Sequence, residues 1–508
     1  MEHYLPEKNR FCSYTDAETF EKITDDRDLC SLWKRCAAEY ADLPALEYGE
    51  ESITYSALDE RVTALRNSFQ GGILKPGDRV ALLADNSPEF VYALLAIVTA
   101  GFVAVVLPPQ SESEAVSLQC TDMQVRSVLC KSGFEEKCNL LQETRPDITV
   151  SVITEGADSD TEGKAFFPEP EAPCMIMFTG GSTGKQKGVL LSHQAVVRGI
   201  MNGCLGYEEV FGQRYLLVLP LSHVFGLVRN LLTSIYTGST LYIAVSPQSI
   251  VRDAAYFNPT VLVLVPALAE MLLQLSEKLN RNIFGSSLKY LICGAAAVPQ
   301  YLVKKYDERG IALLPGYGLT ESANLVSGNP EPLNKPGSVG IPFPEQELKV
   351  VDGELWLRGR NMLTEYVGTR EMAYTPDGWF RTGDLARLDE DGFLYITGRL
   401  KEVIVLDSGE NIYPSQLEER FLSLAFVQDC EVYEDTAEDG KHIMVLEVFL
   451  RAAELKSFGA EPEKTAIELL WQKNLEQQPS EQVSRITIRR EDFPRLPNMK
   501  IVRHRPFI

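Results

Sequence analysis

The sequence predicts an α/β protein in which helices cover mostly parallel sheets. Helical and strand-like patterns alternate along most of the chain, which is typical of βαβ units. Glycine-rich segments follow three of the apolar runs, shortly after Phe178, Cys293 and Leu314. Because ligands bind at the carboxyl ends of strands in parallel sheets, these three segments mark the predicted site.

Local signals predict the elements of this alternation in order. Residues 90–107 are the longest apolar stretch, and Gly101 divides it into a predicted helix and a predicted strand. Ser192 is placed to cap a helix that extends through residue 197. The predicted strands are 79–83, 102–107, 260–265 and 288–293, and the further predicted helices are 55–69, 91–100 and 267–275.

Length and composition indicate a large globular protein. A chain of 508 residues predicts more than one domain. The ten cysteines include no Cys-x-x-Cys pair, so they are expected to be thiols in a reducing compartment rather than disulfides or zinc ligands. The N-terminus lacks an apolar signal region, and no run reaches the roughly 18 apolar residues of a membrane helix. We therefore expect a cytoplasmic protein without a membrane span.

The net charge of −22 argues against nucleic acid as a partner. A polyanionic ligand would then need a local basic patch, and residues 485–505 contain one. Its basic residues are Arg485, Arg489, Arg490, Arg495, Lys500, Arg503 and Arg505. An ordinary charged tail and a surface for nucleotide, coenzyme A or an acidic carrier protein are equally compatible with this pattern.

The segment Met177–Val189 has the composition of a phosphate-binding loop. Glycines allow close approach of the backbone to an anion, hydroxyls can donate hydrogen bonds, and Lys185 and Lys187 add positive charge. It is not a Walker A loop, because Gln186 follows Lys185 where that motif requires Ser or Thr. A flexible glycine-serine linker is the alternative, but the apolar run at residues 174–178 leads directly into the loop.

A second segment, Gly316-Tyr317-Gly318-Leu319-Thr320-Glu321-Ser322, combines groups suited to a nucleotide. Tyr317 can stack on a purine, and the Thr320 hydroxyl can donate to a phosphate. Glu321 can hold Mg²⁺, which prefers one or two carboxylates together with substrate oxygens and water. An incidental turn would not require these groups in this order.

Both segments resemble motifs of the adenylate-forming enzymes, which include acyl-CoA synthetases, firefly luciferase and the adenylation domains of peptide synthetases. The phosphate loop departs from that family's pattern at Gly180 and Gln186. The resemblance continues in order through nearly the whole chain, in Pro220–Leu227, Gly294–Ala296, Asp377–Asp384, Tyr395–Glu402, Ser408–Pro414 and Pro494–Ile501. It is closest to fatty-acid and medium-chain acyl-CoA synthetases.

The resemblance implies a large N-terminal domain, residues 1–398, which includes a small β-barrel-like subdomain. It also implies a mobile α+β C-terminal lid, residues 399–508, with a hinge at Lys401. The catalytic lysine is Lys500, although Leu496, Asn498 and Met499 depart from the usual residues around it. A solvated surface lysine is the alternative interpretation of Lys500.

The resemblance also implies the roles of individual residues. Lys500, Thr179, Glu321 and His223 are expected to be catalytic, and Glu321 is also the expected Mg²⁺ ligand. For His223 a buried structural role is the alternative, as is a tight helix–strand contact for Gly294–Ala296. The expected nucleotide-binding residues are Thr179, Gly180, Gly181, Ser182, Thr183, Gly184, Lys185, Lys187, Gly294, Ala295, Ala296, Gly316, Tyr317, Gly318, Thr320, Asp384 and Arg399.

The implied reaction has two steps and uses ATP, Mg²⁺ and a thiol. A carboxylic acid attacks the α-phosphorus of ATP, and the acyl-adenylate then passes its acyl group to coenzyme A or to the phosphopantetheine of an acyl carrier protein. A fatty or other apolar acid is the expected substrate, and an aryl acid stays open. Two further alternatives are a nucleotide-binding regulatory homologue without turnover and an oxidative enzyme of the luciferase type.

Overall fold

The computed structural model describes residues 2–4, 22–69, 73–154, 165–179, 187–331, 334–405, 411–437, 442–495 and 501–503. These residues form a mixed α/β structure in which two large sheets contain mostly parallel strands, as predicted. Within the same ranges, no helix combines the length and the apolar character needed to cross a bilayer.

The largest sheet has nine strands, and six consecutive strands within it run parallel. All of its strands in the parallel core are short and carry buried apolar side chains on both faces, which is expected where helices cover both sides. In spatial order the strands are Ile341–Pro342, Leu325–Gly328, Ala312–Gly318, Tyr290–Cys293, Val261–Leu264, Arg214–Leu217, Thr240–Ile243, Pro44–Tyr48 and Glu51–Thr54.

The second large sheet has seven strands and carries the ends of the predicted phosphate loop. Its order is Glu365–Val367, Lys187–Ser192, Pro173–Thr179, Val103–Val106, Arg79–Leu83, Ser127–Cys130 and Thr149–Val152. The strand pair Pro173–Thr179 and Lys187–Ser192 is antiparallel and ends with Thr179 opposite Lys187. The loop between these two residues therefore closes a hairpin.

Helices pack on the faces of the sheets. Their capping residues explain why some helices begin at a different residue from the predicted one. The helix predicted from residue 91 begins at Pro88, because Ser87 caps it and proline suits the first turn. Ser192 caps the next predicted helix and accepts a hydrogen bond from the Ala195 amide at 3.1 Å. The α-helices are Leu29–Glu39, Tyr55–Ser68, Pro88–Thr99, Ser113–Asp122, Asn139–Thr144, His193–Asn202, Thr233–Tyr236, Ile250–Phe257, Pro266–Leu279, Gln300–Asp307, Pro414–Leu422, Ala452–Leu455 and Pro462–Leu475.

Two smaller antiparallel or mixed sheets follow. A five-stranded antiparallel sheet, which corresponds to the expected small β subdomain, has the order Glu2–Tyr4, Glu347–Val351, Glu354–Arg358, Phe380–Leu388 and Leu394–Arg399. A three-stranded sheet near the C-terminus has the order Val427–Thr436, His442–Leu450 and Arg485–Ile488. The short strands Ile404–Val405 and Asn411–Ile412 pair with each other.

The hydrophobic core is divided along the chain. Residues from Ile404 to Ile488 form a cluster of their own, separate from the clusters of the two large sheets. We call residues 404–503 the C-terminal region and residues 22–399 the N-terminal region. This separation supports the predicted division after residue 398, and the exact boundary and the hinge at Lys401 stay predictions.

Candidate nucleotide and acid site

Three segments that the sequence singled out separately meet at the ends of the parallel strands. The strands Tyr290–Cys293 and Ala312–Gly318 run side by side, so Gly294 and Gly316 follow at the same edge of the sheet. A Cβ atom on Gly294 would lie 3.0 Å from the carbonyl oxygen of Gly316 and 3.4 Å from the Phe225 ring. This close packing explains why glycine is needed at residue 294.

Asp384 is the buried centre of a polar cluster beside these glycines, in which Tyr317 is partly buried and Arg399 is exposed. The hairpin of the five-stranded sheet places Asp384 opposite Arg399, and the Arg399 Nε donates to Asp384 Oδ1 at 2.7 Å. The Tyr317 hydroxyl donates to Asp384 Oδ2 at 2.6 Å. Burial and the neighbouring carboxylate raise the pKa of Tyr317 well above its usual value, so it stays a protonated donor. A carboxylate can accept about four hydrogen bonds, which leaves Asp384 able to accept from ribose hydroxyls.

Glu321 lies in the short turn that follows the strand Ala312–Gly318. The Tyr366 hydroxyl donates to Glu321 Oε1 at 2.8 Å, and the Leu363 amide donates to the Glu321 carbonyl oxygen at 2.7 Å. Burial raises the pKa of Glu321, and the hydrogen bond from Tyr366 opposes that rise. A partly desolvated carboxylate with one oxygen engaged by a neutral donor fits a Mg²⁺ ligand, and Glu321 would hold the metal through Oε2.

Thr179 and Lys187 bracket the predicted phosphate loop on adjacent strands. The Lys187 ammonium forms an ion pair with Glu371 and lies 5.2 Å from the centre of the Tyr366 ring. Since Tyr366 also contacts Glu321, the loop end and the candidate metal ligand share one neighbour. Gly180, Gly181, Ser182, Thr183, Gly184 and Lys185 lie outside the described residues.

His223 lies just before the π-helix Phe225–Leu232. Its carbonyl oxygen accepts from the Leu227 amide at 2.9 Å, and its side chain is partly buried. Any side chain on Gly226 would clash with the carbonyl oxygen of Pro220, so the tight turn requires glycine. His223 is thereby held close to Phe225, the residue whose ring packs against Gly294.

The remaining predicted residues have distinct environments. Ala295 is partly buried with a positive φ of 65°, and Ala296 is exposed beside it. A side chain on Gly318 would clash with the backbone of Asn324, and Thr320 begins the short turn that carries Glu321. Lys500 lies outside the described residues.

The basic patch near the C-terminus is largely neutralised within the protein. Arg489 pairs with Glu447 at 3.0 Å, and Arg503 pairs with Glu418 at 2.7 Å. Arg485 pairs with Asp435, and Arg495 pairs with Asp429. These pairs favour a structural role for the four arginines over a free docking surface for a polyanion.

Two residues that support the site were missed from the sequence. Tyr366 contacts Glu321, and the short apolar run before Gly368 was the available signal for its strand. Glu354 accepts from the Gly383 amide at 3.1 Å and from the Arg381 Nε at 2.9 Å, and so fixes the turn that precedes Asp384. Its cross-sheet role could not be inferred without the pairing of the strands.

The glycines at the strand ends and the buried Asp384 carboxylate next to Glu321 are compatible with a nucleotide-binding α/β enzyme. The family described as AMP-binding enzyme matches residues 33–367, which is more than half of the chain. The chain belongs to this family. The predicted resemblance to adenylate-forming enzymes is therefore confirmed.

Similar proteins agree with this assignment. The long-chain-fatty-acid–CoA ligase of Salmonella typhimurium is 30% identical over 484 residues, covering 83% of this chain and 85% of that protein. The feruloyl-CoA synthase of an Amycolatopsis species is 29% identical over 411 residues, covering 76% and 82%. The structure of the Bacillus subtilis o-succinylbenzoate coenzyme A synthetase in complex with ATP and magnesium superposes with a TM-score of 0.76 at 26% identity, covering 93% and 98%. The predicted fold class and the predicted likeness to acid–CoA ligases are confirmed.

Proposed function

We propose that the protein activates a carboxylic acid with ATP and transfers the acyl group to the thiol of coenzyme A. The observation that carries the proposal is the Tyr317–Asp384–Arg399 cluster around the buried Asp384, next to Glu321 and at the carboxyl ends of the parallel strands. The related CoA ligases supply independent support, because they match most of this chain at about 30% identity.

In the first step a substrate carboxylate oxygen forms a bond to the α-phosphorus of ATP, and the bond to pyrophosphate breaks. Asp384 would hold the ribose, and Tyr317 would pack against the base. Residues 179–187 would surround the outer phosphates, while Glu321 would bind the magnesium ion that neutralises them. No protein nucleophile is required, so the rate should come from positioning and from fixed charges.

Lys500 would stabilise the negative charge that develops between the carboxylate and the α-phosphate. It follows the C-terminal sheet in the chain, and the hinge proposed at Lys401 would allow that region to turn after the first step. In the second step the thiol attacks the acyl carbonyl, AMP leaves, and the thiol proton passes to solvent or to AMP.

Coenzyme A is the proposed acceptor, and a carrier-protein phosphopantetheine is the alternative within the same chemistry. The two share the thiol arm and differ in the group behind it. Four of the five described arginines of residues 485–503 are paired internally, which weakens one reason to expect an acidic carrier protein at that surface.

The test is acid-dependent exchange of pyrophosphate into ATP with a panel of fatty, aryl and dicarboxylic acids. Active acids are then assayed for thioester formation with coenzyme A and with a phosphopantetheinylated carrier protein. We expect exchange with at least one acid class and thioester formation with coenzyme A. ATP binding without exchange for any acid would instead indicate a regulatory homologue, and transfer to the carrier protein alone would change the acceptor.

A further inference from the structure

Two adjacent polar residues on the π-helix Phe225–Leu232 are fully buried without their full set of partners. Arg229 is 1% exposed and Asn230 is 0% exposed. One terminal nitrogen of Arg229, Nη2, donates to the Tyr207 hydroxyl at 3.2 Å. Within the described part of the chain, the Nε and Nη1 of Arg229 and both Nδ2 and Oδ1 of Asn230 have no hydrogen-bond partner.

The guanidinium also lacks a counter-charge in its surroundings. No carboxylate of the described residues forms an ion pair with Arg229. The hydroxyls of Tyr207 and Tyr215 are 2.9 Å apart, and burial raises the pKa of Tyr215 well above its usual value, so Tyr215 supplies no negative charge. An uncompensated buried charge is strongly destabilising, and buried polar groups without partners are rare in folded proteins. An anionic acceptor that pairs with the guanidinium and with the Asn230 Nδ2 is therefore expected.

The helix connects this pair to the proposed acid site. Its first residue, Phe225, packs against the position of Gly294 at the nucleotide end of the sheet. In a π-helix, with its bonds between residues i and i+5, the residues four and five positions on lie about one turn further along the same side. Arg229 and Asn230 therefore lie one turn beyond Phe225, away from the nucleotide.

The neighbouring strands show how far Arg229 and Asn230 lie from Gly294 along the sheet. The Tyr207 ring packs on Tyr290, with ring centres 4.9 Å apart, and Tyr290 begins the strand that ends next to Gly294. Tyr215 and Tyr290 are both in register with Val261, so they lie at one level of the sheet. Gly294 is four residues beyond Tyr290 in the sequence, which is roughly 13 Å at the rise of a strand.

The level between the two ends is apolar. Side chains two residues further along each strand face the same side. At this level they are Leu217, Val263 and Ile292, all of them buried. The side of the sheet towards the π-helix thus has a nucleotide end, an apolar middle and a cationic end.

We propose that Arg229 and Asn230 bind a second carboxylate at the far end of the acid substrate, so that the substrate class is a dicarboxylic acid of medium length. The planar guanidinium has two nitrogens, Nε and Nη1, left to donate to a carboxylate, and the Asn230 amide nitrogen adds another donor. The apolar level would contact the methylene chain between the two carboxylates. This inference rests on the proposed function and sharpens its substrate, replacing the plain fatty acid expected from the sequence.

The wild-type enzyme is tested with chain-matched acids in the pyrophosphate exchange assay: adipate against hexanoate, and suberate against octanoate. Because charge-assisted hydrogen bonds to a buried arginine are strong, we expect kcat/KM for the better diacid to exceed that of its monoacid by about 10- to 100-fold. Equal values, or a preference for the monoacids, would overturn the inference and leave the proposed function intact.

The variant Arg229→Met removes the charge at similar length, and Arg229→Lys keeps a charge. We expect Arg229→Met to abolish the diacid preference while it keeps or raises exchange with the monoacid, and Arg229→Lys to retain part of the preference. Arg214→Met is the matched control, because Arg214 is next to Tyr215 but contacts Phe257 in the other hydrophobic cluster. A diacid preference that survives Arg229→Met, or that is lost equally in Arg214→Met, would contradict the assignment.

Binding is measured separately from turnover by thermal unfolding of the wild-type protein with each acid. We expect the favoured diacid to raise Tm more than its monoacid, and Arg229→Met to remove that difference. Stabilisation by the diacid without exchange would refute the proposed function and support the recognition of the second carboxylate. Equal stabilisation by diacid and monoacid would refute the recognition.

Discussion

The N-terminal and C-terminal regions differ in how far their candidate site residues are already in contact with one another. In the N-terminal region, Asp384, Tyr317 and Arg399 already contact one another, and Tyr366 already holds Glu321. The C-terminal region has a hydrophobic core of its own, and its sequence contains the candidate catalytic lysine, Lys500. The nucleotide site is thus largely preorganised, whereas the placement of Lys500 depends on how a second body is oriented.

Polar contacts join the described parts of the two regions. Arg451 forms an ion pair with Glu270 and donates to the Tyr301 hydroxyl at 3.1 Å, and the Ser415 hydroxyl donates to the Thr397 carbonyl oxygen at 3.0 Å. Polar interfaces between domains are typical of bodies that move relative to each other. Substitutions in the N-terminal region should therefore affect nucleotide binding, and substitutions in the C-terminal region should affect individual steps.

The largest effect is expected for Lys500→Ala in the C-terminal region. Loss of one preorganised donor should lower acid-dependent pyrophosphate exchange by about 10²- to 10³-fold. Thioester formation from a preformed acyl-adenylate should be affected less. Lys473→Ala removes a lysine on a surface helix of the same region and should leave both steps unchanged. Intact exchange in Lys500→Ala would show that the catalytic lysine lies elsewhere.

The variant Asp384→Asn tests the preorganised cluster of the N-terminal region. The neutral amide keeps the size but weakens the bonds to Arg399 and to the ribose, so we expect kcat/KM for ATP to fall about 10- to 100-fold. Asp391→Asn serves as control, because the Asp391 side chain is 70% exposed. If steady-state kinetics show the same small change in both variants, Asp384 does not hold the ribose.

The pH dependence of exchange tests Glu321. Metal binding needs the carboxylate, and burial raises the pKa of Glu321, so activity should be lost at a higher pH than for an exposed glutamate. Below that pKa the rate at limiting Mg²⁺ should fall about tenfold per pH unit. Tyr366→Phe removes a hydrogen bond that lowers this pKa, and it should move the acid limb of the pH–rate profile to a still higher pH. If the acid limb does not move in Tyr366→Phe, a group other than Glu321 titrates there.

The smallest effect is expected at the interface between the regions. Arg451→Met should alter the two half-reactions by a few-fold and in opposite directions, because it loosens the orientation seen here without touching the nucleotide site. The double variant Arg451→Glu/Glu270→Arg restores opposite charges and should return both rates towards wild type. Equal changes in pyrophosphate exchange and in thioester formation would show that this contact does not favour one orientation.

Most of the fold and most of the candidate residues could be predicted from the sequence. Alternating periodicity predicted the parallel sheets, because buried strands and covering helices leave distinct apolar spacings. Motif chemistry marked Tyr317, Glu321, Asp384 and Arg399 before their positions were known. Bounds were less exact where a cap such as Ser87 moved the start of a helix. The roles of the predicted site residues stay predictions until the variants are measured.

Only the tertiary structure decided which groups are neighbours and which are left without partners. The pairing of Asp384 with Arg399 follows from strand register, and the support of Glu321 by Tyr366 joins residues 45 positions apart. Motifs in the sequence singled out residues 220–227. They did not indicate that Arg229 and Asn230 are buried with polar atoms that lack hydrogen-bond partners among the described residues. Periodicity reports which side of an element is apolar, whereas hydrogen bonds and charge compensation depend on distances between elements that are far apart in the chain.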